Sequence, residues 1–367
     1  MQGLRIPGRR AIKRTGQGTA VKPQRQPADR PLRARRLLVI YNPVAGRRSV
    51  RRLHRILAHC RRLGAVVVLR ETTARGDAET FAREACEGAF DAVVAAGGDG
   101  TINEVVNGLG DADLPLAILP LGTGNVLANE IGLPRNAARL AALAALGEAR
   151  PVWTAAVGAR RFLMMAGIGF DAAVVAGIDE GLKRRIGKLA FVKEILAQLW
   201  QHRDGDYRVR CDGIDYRPAS AVIAKGRFYA GRFVLAPAAR LDDPALHLVL
   251  FMRSGRVAVL RYLIAMLLGR VHRLPDVRIL RTSDLSLSGP AGALVEADGD
   301  IVATLPAKIA LADRPLRLIQ PGSTDRRSYF GPSPPPRWRR AAAMAWRVAS
   351  GWAATAPHSA ANSRRNP

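Results

Sequence analysis

Residues 97–108 read Gly97-Gly98-Asp99-Gly100-Thr101-Ile102-Asn103-Glu104-Val105-Val106-Asn107-Gly108. An apolar run over 90–96 leads into them and a helical pattern follows. Glycine has no Cβ, so at a strand-to-helix turn its main-chain N–H groups can face an anion, and the helix N-terminus behind them adds positive potential. A phosphate is the natural occupant of such a turn. Asp99 does not belong in a simple anion hole, because a carboxylate beside phosphates needs a cation or a proton between them. The combination points to a site for a nucleotide and magnesium.

The elements that must position this turn follow from the apolar runs. Residues 37–41 read as a central strand ending in Asn42-Pro43-Val44-Ala45-Gly46, and a basic helical segment runs from there to about residue 63. Residues 65–69 give a second strand, 76–87 a helix, and 116–119 a strand that ends in Pro120-Leu121-Gly122-Thr123-Gly124-Asn125. Strands alternating with helices predict an α/β fold with a doubly wound, mostly parallel sheet, whose ligands sit at the carboxyl ends of the strands. From about residue 151 the rhythm changes. Short strands are expected at 152–157, 161–165, 207–211, 220–224, 246–251, 277–280, 285–287 and 309–311, with helices at 183–201 and 256–272. Many short strands predict a C-terminal β-sandwich-like domain. The domain reading is a basic tail (1–36), the α/β domain (37–150), the β-rich domain (151–325) and a second basic tail (326–367).

The 367 residues carry a net charge of +27, placed unevenly. Residues 1–36 hold eleven Lys/Arg against one acid, and 326–367 hold eight Arg and no acid. The first tail lacks apolar periodicity and is expected to be disordered. In the second, Trp338, Ala342, Ala345, Trp346, Val348, Ala349 and Trp352 fall on one side of a helical projection, with Arg340 and Arg347 opposite. That pattern suits a helix lying in a membrane interface, or a disordered Ala/Arg tail with incidental aromatics. No apolar run reaches the ~18–20 residues of a spanning helix, and the N-terminus lacks the apolar stretch of a secretory signal. Cys60, Cys86 and Cys211 are scattered, as reduced thiols of a cytoplasmic protein would be.

With these motifs in order, the chain resembles the diacylglycerol kinase catalytic-domain family, relatives of sphingosine and ceramide kinases. The resemblance rests on 42–46, 97–108, 120–125, Ala166-Gly167-Ile168-Gly169-Phe170-Asp171, Leu241-Asp242-Asp243 and Ala297-Asp298-Gly299-Asp300. It implies an ATP site in the cleft between the two domains. Asn42, Pro43, Val44, Ala45, Gly46, Thr72, Gly97, Gly98, Asp99, Gly100, Thr101, Ile102, Asn103 and Thr123 would contact the nucleotide, and Asp99 would also take a catalytic part. It implies a structural magnesium on Asp243 with the main-chain carbonyls of Arg240 and Ala245, although Pro244 stands where relatives carry glycine. It implies that Asp300 is the general base, where relatives carry a glutamate one methylene longer.

The function expected on this basis is an ATP- and Mg²⁺-dependent lipid kinase. It would phosphorylate a lipid hydroxyl, most naturally that of diacylglycerol, at the cytoplasmic face of an anionic membrane. An NAD-kinase-like activity on a soluble substrate and a weakly active nucleotide- or membrane-binding protein are the alternatives. The basic tails alone would suit nucleic acid, but no recognition module accompanies them. Relatives of this kind are often dimers, so a homodimer is a further expectation.

Overall fold

The computed structural model describes residues 35–45, 49–178, 188–201 and 205–322. The expectations for the first tail up to residue 34, for Gly46, for residues 183–187 and for the C-terminal helix lie outside the described residues.

The first sheet is built by β1 (Arg36–Tyr41), α1 (Ser49–Arg62), β2 (Val66–Glu71), α2 (Asp77–Glu87), β3 (Ala92–Gly97), α3 (Asp99–Leu109), β4 (Leu116–Pro120), α4 (Val126–Glu130), α5 (Ala137–Leu146) and β5 (Ala149–Val152). Strands β2, β1, β3 and β4 lie side by side in that order, all parallel. Helices cover both faces, which is why β1 and β3 read as unbroken apolar runs rather than alternating ones. Leu37, Val39, Tyr41 and Val94 face α1 and α5, whereas Leu38, Ile40, Val93 and Ala95 face α2 and α3. The sheet is completed from the far end of the chain. A strand at Leu316–Ile319 inserts between β4 and β5, parallel to the first and antiparallel to the second.

Of the remaining strands, Phe228–Tyr229 and Phe233–Val234 pair with each other, and the other twelve form two six-stranded sheets packed as a sandwich. One contains Ala155–Val157, Arg160–Phe162, Arg208–Cys211, Ile214–Tyr216, Asp284–Ser288 and Ala307–Leu311; the other contains Met165–Ile168, Ser220–Ala224, Leu246–Phe251, Val277–Thr282, Leu294–Ala297 and Asp300–Thr304. Phe162, Val209, Leu285 and Ile309 of the first meet Ile168, Ile223, Leu248 and Val295 of the second in one buried core. Three helices accompany it: α6 (Phe170–Gly177), α7 (Lys188–Gln201) and α8 (Arg256–Leu267).

Several expected strands take a different form. The 152–157 run is two strands, one ending in the first sheet at Val152 and one starting in the sandwich at Ala155. The 161–165 run breaks because the N–H groups of Leu163 and Met164 bond to the Asp298 carboxylate instead of a neighbouring strand. The helix expected to 272 ends at Leu267, and a short 3₁₀ turn at Val271–Arg273 follows.

Candidate active site at the carboxyl edge of the parallel sheet

The loops after β1, β3 and β4 meet at one edge, on either side of the point where the strand order reverses. The loops after β3 and β4 meet backbone on backbone. A Cβ on Gly122 would lie 2.5 Å from Gly98 Cα, and one on Gly97 would lie 2.4 Å from Thr101 Oγ1. Both leave no room for a side chain. Leu121 N and Gly122 N donate to Gly97 O, while Asn42 Nδ2 donates to Thr101 Oγ1 at 3.1 Å and Asn42 Oδ1 accepts from Val44 N. Gly100 differs, since nothing lies within 4 Å of its Cβ position. The open side of the turn is therefore at Gly100, over the first N–H groups of α3, which have no partner within the helix.

Asp99 has a different local role from the one its sequence context suggests. Its Oδ1 accepts from Val126 N at 2.8 Å, and the N–H groups of Asn125 and Leu127 act on the same carboxylate. Burial pushes its pKa up while these donors pull it down. The aspartate thus ties the glycine turn to the start of α4. It supplies the negative charge that a helix N-terminus favours.

The other expected nucleotide residues divide. Val44 is 73% exposed and Thr123 is exposed on the β4 loop, both at the open edge with Pro43 and Ala45. Thr72 is buried beneath it, its N–H donating to Tyr41 O. Ile102 is 1% exposed and packs in the core below the turn. Asn103 is also buried. Its Nδ2 donates to Arg161 O and to Asp298 Oδ2, each at 3.1 Å, so its side chain joins the two domains.

Asp298 receives that bond within a tight hairpin. Asp298 and Gly299 have φ of 49° and 88°, the left-handed pair of a two-residue turn. The Asp298 carboxylate accepts from Leu163 N, Met164 N, Met165 N and Asn103 Nδ2. Burial works against its charge, and these four donors hold it in place. Asp300, at the end of the hairpin, pairs with Arg75 at 2.7 Å. Arg75 stands on the loop after β2, so this ion pair also brings Asp300 toward the carboxyl edge. Asn107 adds to the joint, its Oδ1 accepting from Arg161 N at 2.9 Å.

Beneath the hairpin lies a buried carboxyl pair that sequence reasoning did not find. Glu296 Oε2 accepts from Gly299 N at 3.0 Å, and the Tyr229 hydroxyl donates to Asp171 Oδ1. Glu296 Oε1 and Asp171 Oδ2 both lie over Gly167 with no other partner. They fit one shared proton. Burial pushes both pKa values up, and the charge of Asp171 raises that of Glu296 further.

The expected structural magnesium meets a different occupant. Lys225 is wholly buried, and its Nζ donates to Arg240 O at 2.6 Å, Asp243 O at 2.8 Å and Leu241 O at 3.3 Å. Asp243's carboxylate pairs with Arg281 at 2.8 Å. The ammonium therefore holds the Arg240 carbonyl that the ion was to use, and Arg281 holds the Asp243 carboxylate, so two of the three expected ligands are already engaged by cations and do not fit another. Burial pushes the Lys225 pKa down to about 8, with Asp243 opposing the shift. The group remains charged at neutral pH. No sequence signal marked it, because its partners are main-chain carbonyls, which any residue supplies.

Comparison with known proteins bears on this arrangement. The diacylglycerol kinase catalytic domain family matches residues 36–157, and the YegS C-terminal NAD kinase beta sandwich-like domain matches 165–320. A diacylglycerol kinase of Bacillus subtilis is 28% identical over 295 residues, which are 78% of this chain and 97% of that protein. A probable lipid kinase of Pseudomonas aeruginosa, YegS-like, is 37% identical over 212 residues, covering 56% of this chain and 68% of the relative. The crystal structure of a diacylglycerol kinase from Bacillus anthracis superposes with a TM-score of 0.66 at 23% identity, over 79% of this chain and 99% of that one.

Proposed function

We propose that this chain, which belongs to the family of diacylglycerol kinases and YegS-like lipid kinases and is accordingly a phosphotransferase with an alcohol acceptor, phosphorylates the hydroxyl of diacylglycerol. The observation that carries the reading is the bond from Asn103 Nδ2 to Asp298 Oδ2. It fastens the hairpin bearing Asp300 to the helix whose first turn is the glycine loop. A phosphate donor at one end of α3 and a proton acceptor one helical turn along it are thereby held in fixed relation.

In this reading the triphosphate lies over Gly100 and the first N–H groups of α3, with the Asn42–Ala45 and Thr123 loops at its sides. The Asp99 carboxylate is engaged by α4. It fits a magnesium ion that arrives on the nucleotide and keeps its water and phosphate ligands better than an ion resident in the protein. Such an ion, when bound, neutralises charge on the phosphates. Asp300 takes the proton from the lipid hydroxyl as its oxygen attacks the γ-phosphorus and ADP leaves, and Arg75 orients the Asp300 carboxylate. Phosphoryl transfer depends chiefly on alignment and charge stabilisation, and the Asn103–Asp298 joint supplies the alignment.

Transfer of labelled γ-phosphate from ATP to a panel of lipid alcohols in micelles tests the proposal, comparing wild type with Asp300→Ala and Asp99→Ala. Diacylglycerol is expected to give labelled product, with a loss of ~100-fold or more in Asp300→Ala. Labelling of NAD with none of any lipid would overturn it. The described helices include none long and apolar enough to cross a membrane.

A further inference from the structure

We infer that the outer face of α8 is the surface on which this protein docks to an anionic lipid bilayer. The inference rests on the lipid-kinase reading for its purpose, but not for its evidence. A helix on a protein surface ordinarily turns its polar side to water. Helix α8 does not. Its inner face, Ala258, Tyr262 and Ala265, is buried, yet the opposite face carries Val257, Leu260, Ile264 and Leu267, exposed by 84%, 47%, 49% and 46%. Leu268 continues this stripe beyond the helix end. Leu196, on the helix α7 packed beside it, is also exposed. An apolar stripe of this length facing outward marks a contact surface.

Charge identifies the partner. Exposed arginines stand at both ends of the stripe, Arg253 and Arg256 before it and Arg270 and Arg273 after it. No acid occurs between Asp243 and Asp276. Asp276 itself is engaged by Arg261 and the Tyr262 hydroxyl on the inner side. A second copy docked by two-fold symmetry would set these arginines against one another. A bilayer offers apolar chains to the stripe and anionic headgroups to its ends, each nearby arginine contributing favourably. The placement also suits delivery of a lipid. Helix α8 packs on the Phe233–Val234 strand, whose partner strand carries Tyr229, the residue that touches Asp171 below the 298–300 hairpin.

Co-sedimentation of the full chain with vesicles tests this, using phosphatidylcholine alone and phosphatidylcholine mixed with phosphatidylglycerol. The variant Val257→Ser/Leu260→Ser/Ile264→Ser changes exposed positions only. It should lose at least about tenfold in binding to the mixed vesicles while phosphorylating a short-chain, water-dispersed diacylglycerol as wild type does. Arg256→Gln/Arg270→Gln should weaken binding to the mixed vesicles and leave the weak binding to phosphatidylcholine unchanged. Leu260→Trp should shift its fluorescence to the blue on adding mixed vesicles. Wild-type binding by the triple variant would overturn the inference, as would conversion of a dimer to a monomer by the same changes. If no form of the protein phosphorylates lipid while the triple variant still loses the vesicles, the proposed function falls and the docking face stands.

Discussion

The turn at Gly98-Asp99-Gly100 and the turn at Asp298-Gly299-Asp300 both set aspartate beside glycine, yet they are held in place by opposite means. The first is held by absence of atoms: Gly122 lets the β4 loop touch Gly98 backbone to backbone, Gly97 leaves room for the Thr101 side chain, and Asp99 adds one tie to α4. The second is held by presence of charge, with four donors converging on the Asp298 carboxylate. One should therefore fail when a methyl group is added and the other when a carboxylate is removed. The 240–243 turn follows the second pattern with the charge reversed, an ammonium gathering carbonyls.

The largest effect is expected at Asp298. Asp298→Ala leaves three buried N–H groups and the Asn103 amide without their acceptor and should cost ~4 kcal/mol in urea unfolding; a loss under ~1 kcal/mol would mean that the hairpin is held by other contacts. Lys225→Ala strands the carbonyls of the 240–243 turn and should cost ~3 kcal/mol. With Lys225→Asn, millimolar magnesium should raise the melting temperature while wild type does not respond. A magnesium response in wild type would show that the ammonium has not displaced the ion. Gly122→Ala brings a methyl group against Gly98 and should cost ~2 kcal/mol together with nucleotide affinity.

A smaller effect, in pH dependence, separates the buried carboxyl pair from both turns. Burial raises the pKa values of Asp171 and Glu296 above the ordinary carboxylate range. Such groups favour the fold below the unfolded value of about 4, and that contribution is lost as pH rises through the raised folded values. Thermal unfolding of Glu296→Gln should accordingly show a flatter fall in stability above pH ~4 than wild type; identical slopes would place the ionisation elsewhere. Gly100→Ala should change stability least, within ~0.5 kcal/mol, since its Cβ meets nothing. It should nevertheless weaken ATP binding in calorimetry, and unchanged affinity would move the phosphates away from that position.

The same contrast explains what was legible in advance. Glycine turns are local: the residues that shape them are the residues that form them, so 42–45, 97–101 and 120–125 could be placed on one sheet edge from their order alone. Side-chain anchors are not local. Nothing near Asp300 points to Arg75, and nothing near Asp243 points to Lys225 or Arg281. Asn103 illustrates the cost of reading a motif as a single unit, because Gly100 lies at the open edge and Ile102 in the core while the Asn103 side chain turns to the second domain. The strand at Leu316–Ile319 escaped notice because four residues with one arginine carry little pattern. Its place depends on the gap between β4 and β5.

That late strand has a consequence for the making of the protein. While the ribosome is still translating the sandwich, the parallel sheet stands unfinished, with β4 and β5 lacking the neighbour that belongs between them. Open strand edges of this kind invite pairing with other chains. Only when residue 319 emerges can the nascent sheet close, so the first domain to be synthesised is the last to be completed. A chain cut short before residue 298 is then left with both an exposed edge and no Asp298–Asp300 turn, a vulnerable fragment that quality-control proteases can recognise before it meets a substrate.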